Sequence, residues 1–330
     1  MLVMRKLCIL ALPFLMLSCA LKQEYSLVWE DNFDAPELNN KWWNVDDNAR
    51  GGGNAELQYY APKNVTIERH PVTGESCLVL NAQREDYYYT TAEGAQGYRP
   101  ATSARLNTQD KVTVEYGKVE ARIAFPKTAD GLWPAFWMLG NNLATNLGDD
   151  DAIDNLAEML AAQGRVVWPK CGEIDICEMG HKNGIVAGTQ DRYFNGACHW
   201  GESWNNGAYP NVGKFHTWDY PVQGDFHLFT LVWDEDSIAM YLDQDKFPET
   251  KPYFELSLRN KEVNEPGHYF NHPFYLVLNL SVGGFFPGMP NPEKYSTTID
   301  ASLLEPVTAL PADGTPVKMY VDYIKVFKKN

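Results

Sequence analysis

Gly172-Glu173-Ile174-Asp175-Ile176-Cys177-Glu178 places three acids inside an otherwise apolar, strand-like run. Residues i and i+2 of a strand share a face, so Glu173 and Asp175 point the same way. Glu178 lies five positions beyond Glu173, and a regular strand sends it to the opposite face. One extra residue, a β-bulge at Ile176-Cys177, returns it to the side of the other two. A purely structural cluster is the alternative. Three carboxylates crowded on one face of a buried strand repel one another and lose hydration, and the segment holds no basic partner. Acids flanked by Ile174 and Ile176 therefore read as a site.

The surrounding chain is β-rich as well. Val112–Phe125 alternates, with Val119, Ala121 and Ile123 on one side and Lys118, Glu120 and Arg122 on the other. Phe226–Trp233 and Ile238–Leu242 flank Asp234-Glu235-Asp236-Ser237, the pattern of a hairpin. Tyr275–Val282 sets Leu276, Leu278, Leu280 and Val282 on one face, and Asn279 and Ser281 on the other. Met319–Phe327 closes the chain as a strand. Many short strands separated by Gly, Pro, Asn and Asp predict an all-β sandwich of two sheets, with no repeat and no domain linker. One helix interrupts it. Ile153, Leu156, Ala157 and Leu160 follow helical spacing, Asp149–Asp151 suit its N-terminus, and Gly164 its stop. This insertion before the acidic strand either shapes one end of a cleft or decorates the surface.

At 330 residues, 45% hydrophobic and 22% charged, the chain is ordinary globular material. Its formal net charge of -15 argues against nucleic acid and is compatible with neutral sugars. Ten Trp and eighteen Tyr serve either stacking surfaces or a β core. Arg5, Lys6 and the apolar Leu7–Leu17 form a targeting segment too short to span a bilayer. Met16-Leu17-Ser18-Cys19 resembles a bacterial lipoprotein cleavage box, which implies removal of residues 1–18 and acylation of Cys19. The alternative is an ordinary signal peptide. Residues 19–330 are then one exported domain, held at the outer membrane or cell surface by the lipid anchor alone and expected to be a monomer. Cys77, Cys171, Cys177 and Cys198 show no metal-ligand spacing; a disulfide or buried thiols both remain open.

Two carboxyl groups on one face suit glycoside hydrolysis, where a separation of about 5–5.5 Å permits a covalent intermediate and retention of configuration. GEIDICE resembles the bulged catalytic motif of glycoside hydrolase family 16, in its laminarinase-like branch. LVWEDNF (27–33), NAELQYY (54–60), SARLNT (103–108) and YGKVEARIAFPKTADGLWPAFWMLG (116–140) extend the resemblance over nearly all of the mature chain. It implies a concave β-jelly-roll sandwich, with Glu173 as nucleophile, Asp175 as its helper and Glu178 as acid/base. Trp133 and Trp137 share a strand face, suited to sugar stacking or to the core. Trp168 resembles a family position beside the cut bond. Asn54, His199 and Asn279 are candidate sugar hydrogen-bond partners by the same resemblance. Arg105 either reaches the cleft or pairs with an acid.

No cofactor is expected for catalysis. Some family members bind a stabilising calcium ion on the convex side; Asp322 matches one ligand position, while Asn32 departs from the acid at the other and leaves Glu30 or Asp31. The substrate branch stays open. The laminarinase-like motifs imply β-1,3- or mixed β-1,3/1,4-glucan. The long stretches 142–167 and 179–197 at the cleft rim depart from that branch. They keep an endo-β-1,4-galactosidase acting on mucin-type O-glycans or poly-N-acetyllactosamine in view. A non-catalytic carbohydrate-binding protein is the reading from another class.

Overall fold

The computed structural model describes residues 24–49, 53–144, 160, 162–204, 207–294 and 296–330. Cys19, the targeting segment and most of the expected helix 153–160 lie outside the described residues. Leu160 is helical and buried, and Gly164 takes a φ of 68° where the stop was expected.

Two sheets pack face to face. Among the described residues one has ten strands and the other eight. The ten-stranded sheet runs in the order Phe254–Ser257, Ser237–Leu242, His227–Trp233, Gly117–Ala124, Val317–Lys329, Ser76–Thr90, Gln96–Ser103, Gln58–Tyr60, with Tyr25–Asp31 and Val65–Arg69 paired beside this path. The eight-stranded sheet runs Asn211–Thr217, Tyr193–His199, Glu173–Met179, Leu132–Gly140, Phe274–Val282, Arg105–Asn107, Asn44–Val45, with Thr113–Val114 beside Phe274–Val282. The predicted hairpin forms, pairing Trp233 with Ile238.

Alternation sets the core. Val119, Ala121 and Ile123 from one sheet meet Leu276, Leu278, Leu280 and Val282 from the other. Each Val, Ile or Leu among them contributes about 1.5–3 kcal/mol on full burial. The outer face of the eight-stranded sheet is apolar in one place. Leu139, Cys171, Tyr275 and Val277 form a separate cluster there, and Trp137 and Trp168 pack on it. The four cysteines of the described chain are buried free thiols.

The acidic strand carries the expected bulge. Asp175 pairs with Ala197 and Glu178 with Asn195, so that Ile176 and Cys177 together oppose the single Gly196. On its other side Asp175 pairs with Trp137 and Cys177 with Phe136. Ile176 and Cys177 both enter the intersheet core. The buried Tyr253 hydroxyl donates through that core to the Ile176 carbonyl. Glycines bound the strand. Gly172 has a φ of 75°, and a Cβ there would come 2.7 Å from the Phe274 ring. Gly180 has a φ of 97°, and its Cβ would meet the Leu132 carbonyl oxygen at 2.0 Å. No helix among the described residues is long and apolar enough to cross a membrane.

Candidate active site

Strand register lays the site out in rows across the outer face. One row is Arg105, Asn279, Ala135, Glu178, Asn195, Phe215, each residue opposite the next. At about 4.8 Å per strand step it spans about 24 Å. The next row holds Trp137, Asp175, Ala197 and Gly213. The third holds Leu139, Glu173, His199 and Asn211. The small residues Ala135, Ala197 and Gly213 leave a floor between taller walls, the shape of a cleft running across the strands.

Each outer acid is held by an indole. Trp168 Nε1 donates to Glu173 Oε2 at 2.7 Å, and Trp133 Nε1 donates to Glu178 Oε1 at 3.0 Å. Asn195 Nδ2 donates to Glu178 Oε2 at 2.9 Å. Between them His199 Nε2 stands 3.1 Å from Asp175 Oδ2, and His199 Nδ1 lies 3.2 Å from the Tyr209 hydroxyl. The Tyr209 ring meets Trp168 edge-on at 4.7 Å. Trp137 Nε1 donates to Asn279 Oδ1 at 2.7 Å, and Asn279 Nδ2 donates to Ser281 Oγ at 3.0 Å.

Burial and crowding move the protons. Burial, reinforced by the charges of Glu173 and Glu178, pushes Asp175 well above the carboxyl range. Glu178 is raised as well, chiefly by burial, with the Asn195 hydrogen bond opposing. Burial works against an imidazolium at His199. The Asp175 hydrogen bond and the charges of Asp175, Glu173 and Glu178 outweigh it and push His199 up to about 9. A proton shared between His199 and Asp175 is what lets the acids share one face. The arrangement can supply a carboxylate and a carboxylic acid to the same bound group.

The other expected residues fall around this centre. The Arg105 guanidinium lies over Trp137 at 5.1 Å and pairs with Asp46 at 3.5 Å, the ion-pair alternative. Asn54 sits on the rim. Its carbonyl accepts from Phe285 N, and neighbouring Gly284 borders Trp133. One face of Trp133 is covered by Phe286, stacked at 4.7 Å with planes 8° apart. Asp322 lies on the other sheet, where Arg122 Nη1 stands 2.6 Å from its Oδ2. Asp31 accepts from Phe33 N and Trp43 Nε1, and Glu30 faces Lys325 at 3.6 Å. Oxygens already given to a guanidinium, an ammonium and two N–H groups do not fit a calcium ligand set. Sequence reasoning missed Asn195, Tyr209, Tyr253 and Phe286. The NGACHW stretch, read as the strand opposite GEIDICE, carried a signal for Asn195.

Comparison with known proteins agrees with this geometry. The family described as Glycosyl hydrolases family 16 matches residues 53–256. The chain is 29% identical over 319 residues to Glucan endo-1,3-beta-glucosidase A1 of Niallia circulans, covering 92% of this chain and 38% of that protein. It is 32% identical to Glucan endo-1,3-beta-glucosidase of Cryptopygus antarcticus, covering 84% and 88%. A Bacteroides ovatus mixed linkage glucan GH16 structure, in complex with a G4G4G3G product, superimposes with a TM-score of 0.66 at 29% identity, covering 90% of this chain and 99% of that one. The two sheets are thus those of a concave jelly-roll sandwich. Its outer-face acids lie within the matched span, and the chain belongs to glycosyl hydrolases family 16.

Proposed function

We propose that the protein is a retaining endo-β-glucanase that cuts internal bonds of β-1,3- or mixed β-1,3/1,4-glucan. The carrying observation is that one strand presents three acids on one face, with a separate hydrogen-bond donor set on Glu173 and on Glu178. Glu173 attacks the anomeric carbon while Glu178 gives its proton to the departing glycosidic oxygen. Glu178 then takes a proton from water, and the hydroxide oxygen displaces Glu173, so the product keeps the β configuration. Asp175 shares a proton with His199 beside Glu173 and so limits repulsion during both steps. Trp137, Trp168 and the floor at Ala197 and Gly213 receive the sugar rings. No metal takes part in this scheme.

Relatives that act on glucans support this substrate class over galactose-containing chains. Incubation of the full protein with laminarin, mixed-linkage glucan and mucin O-glycans tests it, with Glu173→Gln as the blank. Oligosaccharides whose first-formed anomer is β, from the glucans, are expected. Oligosaccharides from mucin alone would move the activity to β-galactosides. Binding without cleavage of any of them would end the enzymatic reading.

The same proposal includes export. The targeting segment ahead of Cys19 supports an acylated, membrane-tethered protein, and we take residues 19–330 as one catalytic domain acting as a monomer. Metabolic labelling with palmitate should mark the wild type and not Cys19→Ser; equal labelling of both would refute the anchor.

A further inference from the structure

Resting on that reading, we infer that Asn195 and Phe286 are positioning residues for the acid/base carboxyl: Asn195 holds one oxygen of Glu178 directly, and Phe286 holds the other through the indole of Trp133. The geometry is a clamp. Asn195 stands directly opposite Glu178 on the neighbouring strand, and its Nδ2 donates to Oε2 at 2.9 Å. The Asn195 side-chain oxygen is buried without a partner, so the N–H side is what the amide offers. Trp133 donates to Oε1 at 3.0 Å from the opposite flank. With both oxygens engaged, the carboxyl has one rotamer and one plane.

Trp133 needs its own support, because an indole free to tip about its side-chain torsions takes its N–H off target. Phe286 supplies it by lying parallel on the indole, 8° between planes and 4.7 Å between centroids. Phe286 is in turn anchored by the segment that follows the acid/base. Its carbonyl accepts from Lys182 N, and its ring meets His181 at 4.8 Å. His181 caps the six-residue helix Lys182–Ala187, its Nδ1 accepting from Asn183 N. The stretch after Glu178 therefore folds back to brace the side chain at its own start. A clamp of this kind acts on proton delivery, which demands heavy-atom placement within hydrogen-bond reach.

The test separates proton delivery from everything else. A natural glucan leaves as a poor leaving group and needs the proton. A 2,4-dinitrophenyl β-laminaribioside leaves without one. Asn195→Leu and Phe286→Leu should each lower kcat/KM on laminarin by about 10- to 100-fold. On the dinitrophenyl glycoside the loss should stay under about 3-fold. Phe286→Tyr, which keeps the ring, should restore laminarin activity. Loss of the Asn195 donor should also move the alkaline limb of kcat/KM to higher pH, because a donor to the carboxylate favours its charged form. Equal losses on both substrates, or no loss on laminarin, would overturn the inference. The two variants act from opposite flanks, so one that misfolds leaves the other to decide. A wild type that cleaves neither substrate would remove the functional reading itself, and the inference with it.

Discussion

Trp168 donates its indole N–H to Oε2 of Glu173 at 2.7 Å, binding the side chain five residues before the acidic strand to the first acid upon it. A hydrogen bond to a charged group contributes about 1.5–3 kcal/mol. Trp168→Phe keeps an aromatic face and removes the donor. We expect kcat/KM on laminarin to fall by about 10- to 100-fold with little change in melting temperature. A fall of less than 2-fold would detach this hydrogen bond from catalysis.

The two glutamates are told apart by azide. Glu173→Ala leaves room for azide to enter from the nucleophile's side, so an activated substrate should give the α-glycosyl azide. Glu178→Ala keeps the double displacement and should give the β-glycosyl azide. Without azide each variant should lose at least about 100-fold on glucan. NMR of the products reads the anomer, and the opposite pairing would exchange the roles.

Glu178 must carry its proton when it meets substrate, and burial raises its pKa above the usual glutamate range. The alkaline limb of kcat/KM should accordingly lie above the ordinary carboxyl range. The His199 imidazolium favours the charged form of Glu178. His199→Asn removes that charge, so the limb should move further up. A limb that stays in place or moves down would separate His199 from the proton donor.

Stability should run against function here. The folded pKa of Glu178 is raised, so its favourable contribution is present below the unfolded glutamate value and is lost as pH rises through the folded one. Glu178→Gln removes that loss. Asn195 can turn its unpartnered oxygen to accept from the new amide. The variant should melt at least about 2 °C above the wild type at pH 8. The gap should close toward pH 4. A variant that melts lower at pH 8 would show that the carboxylate is not a burden to the fold.

Chelation should change nothing. Asp322 is satisfied by Arg122 at 2.6 Å on the sheet away from the cleft. Exhaustive dialysis against EDTA should leave both activity and melting temperature unaltered. Asp322→Asn should cost no more than about 1 kcal/mol, since both partners are partly exposed. A drop in melting temperature that calcium alone restores would put an ion at that position.

Much of the centre was legible in GEIDICE. Three acids on an apolar strand share a face only with one residue in excess, and the paired core side chains Ile176 and Cys177 are that excess. Asn279 could be placed because Tyr275–Val282 alternates so regularly. Phe215 could not, and Asn195 only through the NGACHW stretch, because which residue stands opposite which is a property of paired strands and no single strand states it. The helix Lys182–Ala187 was missed for another reason. Six residues are too few to show a period, and its cap is a histidine rather than the usual Ser, Thr, Asp or Asn. Trp133 was read as a face for sugars or for the core, and Trp168 as a position beside the cut bond. Their second use, as N–H donors, depends on side-chain rotamers that composition does not reveal.

The bulge also bears on how this strand tolerates changes of length. Deleting either Ile176 or Cys177 would restore strict alternation, and the residues now numbered 173, 175 and 178 would still face outward together. What the shortened strand would forfeit is one apolar side chain in the core and, if Ile176 went, the carbonyl that Tyr253 now meets. A one-residue deletion at this point therefore keeps the three carboxyls on one face at the cost of a core side chain. Two chains of unequal length through this strand can present the same three carboxyls.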